Sequence, residues 1–165
     1  ACMQRLTLFL HHPLMAATLT LGGFLTGAGA GSIAVHKALE RGWVAVNLLR
    51  GGLTVILLLG MLAMLGMPWL ITRFIGMALG FKLMTALVLI LPLAMAMGMV
   101  FPLGMEVILG NRPQMVPWAW GINGCASVIG AAAVPLLALH CGYSLVIGLA
   151  ALLYAFVLIV ALSIR

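Results

Sequence analysis

Five long, almost uncharged apolar runs dominate this sequence and constrain its fold more than any other feature. Each run has about 20 residues or more, the length that an α-helix needs to cross a ~30 Å hydrocarbon core at ~1.5 Å per residue. Short turns rich in polar residues, glycine or proline separate the runs. The sequence therefore predicts an all-α fold, a polytopic transmembrane helical bundle of about five spans. We expect a single domain over residues 1–165, with spans at about 13–35, 44–65, 81–109, 116–139 and 143–163.

Composition excludes an ordinary soluble domain. Hydrophobic residues make up 65% of the chain and charged residues 6%, whereas soluble domains carry roughly a quarter charged residues. Lipid must therefore be much of the solvent. The runs also lack the polar–apolar alternation that marks membrane barrel strands. The eight Lys and Arg residues are dispersed without forming a basic stripe, so we expect contacts with lipid headgroups and no nucleic-acid binding.

Two segments leave the span assignment open. Trp69 and Arg73, with Lys82 just beyond them, are residue types of the membrane interface, so we expect a short interfacial segment over 69–80. The third run would be about 40 Å long as one helix, which exceeds the thickness of the hydrocarbon core. Tilt, or a break at one of its two prolines, would accommodate the excess length. A tight turn at Cys141-Gly142 is expected to separate the last two spans.

Orientation follows from the positions of the basic residues. With five spans, the turn after the first span, the turn after the third span and the C-terminus lie on one side of the membrane. That side carries five bases and the opposite side three, so the positive-inside rule predicts a cytoplasmic C-terminus. The five are Lys37, Arg41, Arg50, Arg112 and Arg165, and the three are Arg5, Arg73 and Lys82.

A glycine stripe marks the first span. Gly23, Gly27 and Gly31 repeat every four residues and so share one face of a helix. Such a face lets another helix approach closely, which predicts a packing surface. The alternative is a sliding or rocking surface of a transporter. A phosphate-binding loop is disfavoured, because no strand precedes the glycines and no Lys-Ser/Thr follows them.

The most unusual segment lies in the fourth span. Trp120, Asn123, Gly124, Ser127 and Gly130 recur at three- and four-residue spacings, which places them on one small, polar face. An amide is costly in lipid and requires a hydrogen-bond partner. We therefore expect this face to pack against another helix, either the glycine stripe or the third span. The alternative is a polar cavity lined by Asn123 and capped by Trp120.

Few residues could carry chemistry. Glu106 is a candidate intramembrane acid, and it would either pair with Arg112 at the interface or act inside the bundle in proton coupling or structure. The histidines lie at span ends, which is typical of interfacial residues and not of haem ligands. Cys2, Cys125 and Cys141 form no CxxC pair. No nucleophile–base pair occurs, so we expect no catalytic residues, no cofactor and no metal.

The segment Val116-Pro-Trp-Ala-Trp-Gly-Ile-Asn-Gly-Cys-Ala-Ser-Val-Ile-Gly130, with Phe101-Pro-Leu-Gly104, resembles the membrane-spanning part of fused spermidine synthase-like (polyamine aminopropyltransferase-like) proteins. Leu8-Phe-Leu-His-His-Pro13 and Gly27-Ala-Gly-Ala-Gly-Ser32 are similar to the same region. The resemblance covers nearly the whole chain, and Trp-Gly-Ile-Asn-Gly is its specific part. The same membrane part also resembles half of a major-facilitator-type bundle. Such a half has six helices, so five spans and a missing first helix would fit.

The resemblance implies a soluble aminopropyltransferase-like domain, of Rossmann-like fold, that uses decarboxylated S-adenosylmethionine and is joined to the membrane helices. This sequence has no glycine-rich strand–turn–helix and no acidic catalytic pair, so the family's catalytic residues map to no position. The chain opens with Ala1-Cys2-Met3, and we interpret it as a fragment or a processed chain.

Charge separates the candidate functions. A polycationic polyamine requires buried carboxylates, and Glu106 alone could serve. We therefore expect a non-catalytic membrane-anchoring or accessory bundle of a spermidine synthase-like protein, within a larger complex in a bacterial inner membrane. Its expected partners are membrane lipids and either other membrane chains or a missing part of the same protein. The alternative is half of a major-facilitator-like transporter for a small organic solute, with Asn123 and Ser127 as its polar site.

Overall fold

The computed structural model describes residues 13–74, 78–110 and 112–163. It is 95% helical and shows no strand in these ranges. The last helical stretch is broken at Gly142, so we divide it into α4 (residues 116–141) and α5 (residues 143–163). The other elements are α1 (Pro13–Glu40), α2 (Ala45–Phe74), α3 (Leu79–Leu109) and a 3-10 turn (Pro113–Met115).

All five helices of the described ranges are long and apolar enough to cross a membrane. The predicted all-α fold class is therefore confirmed, and the chain is an integral membrane protein. Helices suit this solvent because each satisfies its own backbone hydrogen bonds, which lipid cannot do.

Helix α1 runs one turn past its expected end and stops at Glu40. Gly42 then adopts a positive φ of 81°, a conformation that glycine reaches without steric cost. The N–H of Gly42 donates to the carbonyl of Leu39 at 2.9 Å, and the N–H of Trp43 donates to that of Ala38 at 3.1 Å. This paired arrangement is a Schellman motif, which satisfies the last carbonyls of the helix and reverses the chain.

The segment expected to lie at the membrane interface is mostly helical in the structure. Helix α2 continues through Pro68 to Phe74, and α3 begins at Leu79, so most of the segment belongs to these two helices. Residues 75–77 lie outside the described ranges. Pro68 removes only one N–H, whereas ending the helix there would leave several backbone groups without partners.

Helix α3 is continuous over 31 residues, with Pro92 and Pro102 inside it. The expected break at a proline is therefore not present. At ~1.5 Å per residue the helix is about 46 Å long, which leaves tilt as the other predicted way to fit a thinner hydrocarbon core. The expected turn between the last two spans is present at Gly142, whose φ of 79° and ψ of 162° interrupt the helix.

Two apolar clusters show how the helices run. The first joins Ala16 of α1 to the first half of α3. The second joins the end of α1, the start of α2, the end of α3 and the end of α5, through Val35, Leu49, Leu53, Leu103 and Ala161. Helices α1 and α3 therefore run in the same direction, α2 runs opposite to them, and α5 ends where α3 ends. We call the end of the bundle that contains this second cluster the C-terminal end.

The last two helices are covered much less than the first three. In an 18-residue apolar stretch of each span, 28% of the residues are buried inside the protein in α1, compared with 6% in each of the last two spans. Helix α5 packs on α2 and the ends of α1 and α3 through Tyr154, Leu158 and Ala161. The surface of α4 is consequently the most open one that the structure describes.

Candidate functional site

The contact between α1 and α3 is built on three glycines of α1. Gly23, Gly27 and Gly31 are all buried and face α3. A methyl group added at Gly27 would lie 2.6 Å from the Cβ of Ala94. A methyl group at Gly31 would collide with the backbone carbonyl of Met95. The missing side chains are what allows the two backbones to cross so closely.

Helix α3 contributes a small residue that the sequence pattern did not single out. A methyl group added at Gly98 would collide with the backbone of Ala28 on α1. Gly98 lies four residues after Ala94, so the two share a face. A search for small residues at the same four-residue spacing on a second span would have found this partner. We call the surface formed by Gly27, Gly31, Ala94 and Gly98 the glycine seam.

Helix α4 begins with an aromatic contact to α3. The rings of Phe101 and Trp120 are edge to face, with centroids 5.0 Å apart and planes at 74°. Such pairs contribute about 0.5–1.5 kcal/mol beyond the area that they bury. Trp120 is nevertheless 59% exposed, so the contact holds the start of α4 without covering it.

The polar face of α4 is open in the structure. Gly124 and Gly130 have no described atom within 4 Å of the place where a Cβ would lie. Asn123 and Ser127 are exposed. The expected packing of this face on the glycine stripe or on the third span is therefore not made within the described chain. The reason is that α3 already occupies the α1 glycines, while α3 meets α4 through Trp120 near the start of that helix.

The two polar side chains of this face differ in their hydrogen bonding. The hydroxyl of Ser127 donates to the carbonyl of Asn123 at 2.7 Å, so it is satisfied by its own helix. The side-chain amide of Asn123 makes no hydrogen bond to any part of the chain that the structure describes. Only the amide therefore requires a partner from outside α4.

The depth of Asn123 makes that requirement costly. The span that contains it covers Pro113–Gly142, so its midpoint lies just after Ser127. Asn123 is four to five residues from the midpoint, or about 7 Å along the helix. This distance is well within the ~15 Å half-thickness of a hydrocarbon core, where an amide without a partner is disfavoured.

Glu106 lies on an exposed part of α3, close to its end. Its backbone carbonyl accepts from the N–H of Gly110 at 3.1 Å, which closes the helix. The expected ion pair with Arg112 is not formed, and the one ion pair seen in the described ranges joins His36 and Glu40 at 3.2 Å. The position of Glu106 favours an interfacial carboxylate over one enclosed by the bundle.

Arg50 has a structural role that the sequence reading missed. The sequence predicts that its side chain reaches the headgroups. Instead, its Nε donates to the carbonyl of Ala161 at 3.1 Å, and its Nη2 approaches the carbonyl of Leu162 at 3.4 Å. These carbonyls belong to the last turn of α5, where backbone acceptors lack helical partners and the helix dipole is negative. Arg50 thus ties α5 to α2 at the C-terminal end.

The described residues do not assemble a set of metal ligands. No group of three or more His, Cys, Asp or Glu side chains comes together within them. Cys125 and Cys141 are both exposed and not disulfide-bonded. The arrangement therefore offers close helix packing and hydrogen bonding, and α4 provides its open, polar surface.

Comparison of the chain with protein-family models, with curated proteins and with solved structures finds no match. The resemblance to the membrane part of spermidine synthase-like proteins therefore rests on the residues quoted for it, chiefly Trp120-Gly-Ile-Asn-Gly124.

Proposed function

We propose that this chain is a non-catalytic bundle that anchors or organises other protein chains in the membrane, as an accessory part of a spermidine synthase-like membrane protein. One observation carries the proposal. The amide of Asn123 lies deep in a membrane span and has no hydrogen-bond partner in the described chain. Because lipid tails offer no partner either, a helix from another chain or from a further part of the same protein is the natural complement.

The finer parts of this proposal rest on the sequence. The Trp120-Gly-Ile-Asn-Gly124 likeness supports the spermidine synthase-like assignment and a bacterial inner membrane as its location. The five-to-three distribution of bases supports a cytoplasmic C-terminus. The contact of Arg50 with the last turn of α5 supports counting it among the five.

An anchoring role also agrees with the electrostatics. Recognition of a polyamine needs several enclosed carboxylates, because each ammonium group must be paired when it leaves water. Glu106 is exposed near the end of α3, and Glu40 is exposed at the end of α1, where it faces His36. Neither carboxylate is placed to enclose a polycation.

A second candidate is half of a major-facilitator-like transporter. The glycine seam favours it, because a contact between two backbones without interlocking long side chains permits helices to shift past each other. In that case the open face of α4 would line the solute path or meet the other half of the bundle.

Site-specific photo-crosslinking in the membranes of the source cell tests the proposal. A photoreactive residue at position 127 is compared with one at Ile129, which lies on the opposite side of α4 and is 68% exposed. We expect protein adducts from position 127 and lipid adducts from position 129. Lipid adducts at both positions would exclude assembly through α4.

The identity of the crosslinked chain separates the two candidates. A chain that carries an aminopropyltransferase-like domain supports anchoring, whereas a second helical half that moves a solute across liposomes supports transport. The purified chain itself, incubated with putrescine and decarboxylated S-adenosylmethionine, should form no spermidine above a protein-free control.

A further inference from the structure

The amide of Asn123 also indicates which partner fits the open face of α4. A primary amide carries both a donor and an acceptor, so it is complementary to an identical amide. Two copies of α4 related by a two-fold axis along the membrane normal run parallel and bring each residue near its counterpart. Two Asn123 side chains can then donate to one another, and the group that lacks a partner in one chain is satisfied by the same group in the next.

Charge favours the same partner. From Pro113 to Ser163 the chain carries no Lys, Arg, Asp or Glu. Two copies of this surface therefore meet without repulsion between like charges. A partner that presented a charged group to this face would find no counter-charge in the described residues, and burying such a group unpaired is costly.

The shape of the face allows close approach. Gly124 has no side chain, and Ser127 is small and already hydrogen-bonded to its own helix. The glycine seam shows how closely two helices of this chain approach when small residues line both sides. Trp120, at the start of the face, contacts Phe101 of α3 edge to face.

We infer that two copies of this chain associate through α4, with Asn123 hydrogen-bonded across the two-fold axis and Ser127 nearest to it. This inference rests on the proposed function in one respect: both take the open face of α4 as a surface that binds another helix. It names the partner as a second copy of the same chain.

Energy transfer between labelled copies of the purified chain, reconstituted in liposomes and diluted with lipid, measures the association. Replacing Asn123→Leu removes two symmetric hydrogen bonds. At ~0.6 kcal/mol for each bond in a membrane, the dissociation constant should rise about eightfold. Ile129→Leu is the matched control, since Ile129 is 68% exposed on the opposite side of α4 from Ser127, and it should change the constant less than twofold.

Disulfide crosslinking locates the contact with Asn123 intact. In a background with Cys2, Cys125 and Cys141 replaced by serine, Ser127→Cys should give a covalent dimer on mild oxidation. Ile129→Cys should not, because it lies on the opposite side of the helix. This readout does not depend on whether the Asn123→Leu variant folds.

Three outcomes would overturn the inference. A purified chain that is monomeric at every lipid dilution excludes self-association. Equal crosslinking from positions 127 and 129 excludes a specific face. Crosslinking of position 127 in native membranes to a different chain, with none between copies, excludes the second copy as partner while leaving the proposed function intact.

Discussion

Replacing Gly31 with alanine should weaken the protein more than its single methyl group suggests. The added Cβ would lie 2.9 Å from the carbonyl carbon of Met95 and would collide with its carbonyl oxygen. Both are backbone atoms of α3, so no rotamer change can move them away. Helices α1 and α3 must separate, or one of them must bend.

The size of the effect follows from two opposing terms. Alanine stabilises a helix by about 1 kcal/mol relative to glycine. Overpacking a close contact costs about 1–3 kcal/mol and sometimes more. Opening the seam by as little as ~1 Å also loses roughly a quarter to a half of the dispersion energy there. Because backbone atoms cannot move aside, we expect the overpacking cost to lie near the top of its range, and after subtracting about 1 kcal/mol for helix propensity Gly31→Ala should destabilise the protein by about 2 kcal/mol.

The same helix offers a matched control. Gly29 lies two residues away, and a Cβ there meets no described atom within 4 Å. Gly29→Ala changes the same residue type in the same helix without entering the seam. It should leave the stability unchanged or raise it by up to about 1 kcal/mol, the difference in helix propensity.

Thermal stability in a mild detergent, followed as the fraction that remains monodisperse, measures the difference. On the size scaling of domains of this length, each kcal/mol corresponds to roughly 2–4 °C. Gly31→Ala should therefore melt several degrees below Gly29→Ala. Equal melting temperatures would show that α1 and α3 can separate at the glycine seam without loss of stability, and the argument from backbone contact would be refuted.

Three further predictions concern the rest of the chain. Arg50→Met should destabilise the protein by about 1–3 kcal/mol in the same assay, because it leaves the last carbonyls of α5 without their charged donor; no change would show that these acceptors are satisfied otherwise. Single cysteines at positions 112 and 165, in a cysteine-free background, should react with an impermeant maleimide from the same side of the membrane, and labelling from opposite sides would contradict five spans. Gly124→Leu should leave the melting temperature of the detergent monomer unchanged, since its Cβ meets no described atom, and a large drop would show that α4 packs within the monomer.

Hydropathy alone predicts the number and order of the helices, because lipid leaves the backbone few alternatives. It does not predict their ends well. Pro68 and the polar residues after it look like a boundary, yet α2 continues past them to Phe74. In water, unpaired backbone groups at such a site can bond to solvent, whereas in a bilayer continuing the helix is favoured. Sequence rules learned from soluble helices therefore place the boundary too early.

The two small-residue faces show the limit of sequence reading more clearly. The stripe around Gly27 and the face around Gly124 have similar spacings and give the same local prediction of close packing. Within the described chain the first is covered by α3, and the second is open. The two faces differ in whether another helix offers small residues to pack against them. Ala94 and Gly98 of α3 do so for the face around Gly27. A local pattern indicates that a helix surface can be approached, but only the arrangement of the other helices decides what approaches it.

The position of the open face depends on contacts at both of its ends. Trp120 fixes the start of α4 against α3, and Gly142 joins its end to α5. Helix α5 is in turn held to α2 by Arg50 at the C-terminal end of the bundle. The tightly packed α1–α3 pair thus supports α4 indirectly, through contacts that leave its small, polar side free. Such an arrangement holds the backbone of α4 in place, which would lower the conformational entropy that the proposed association must overcome.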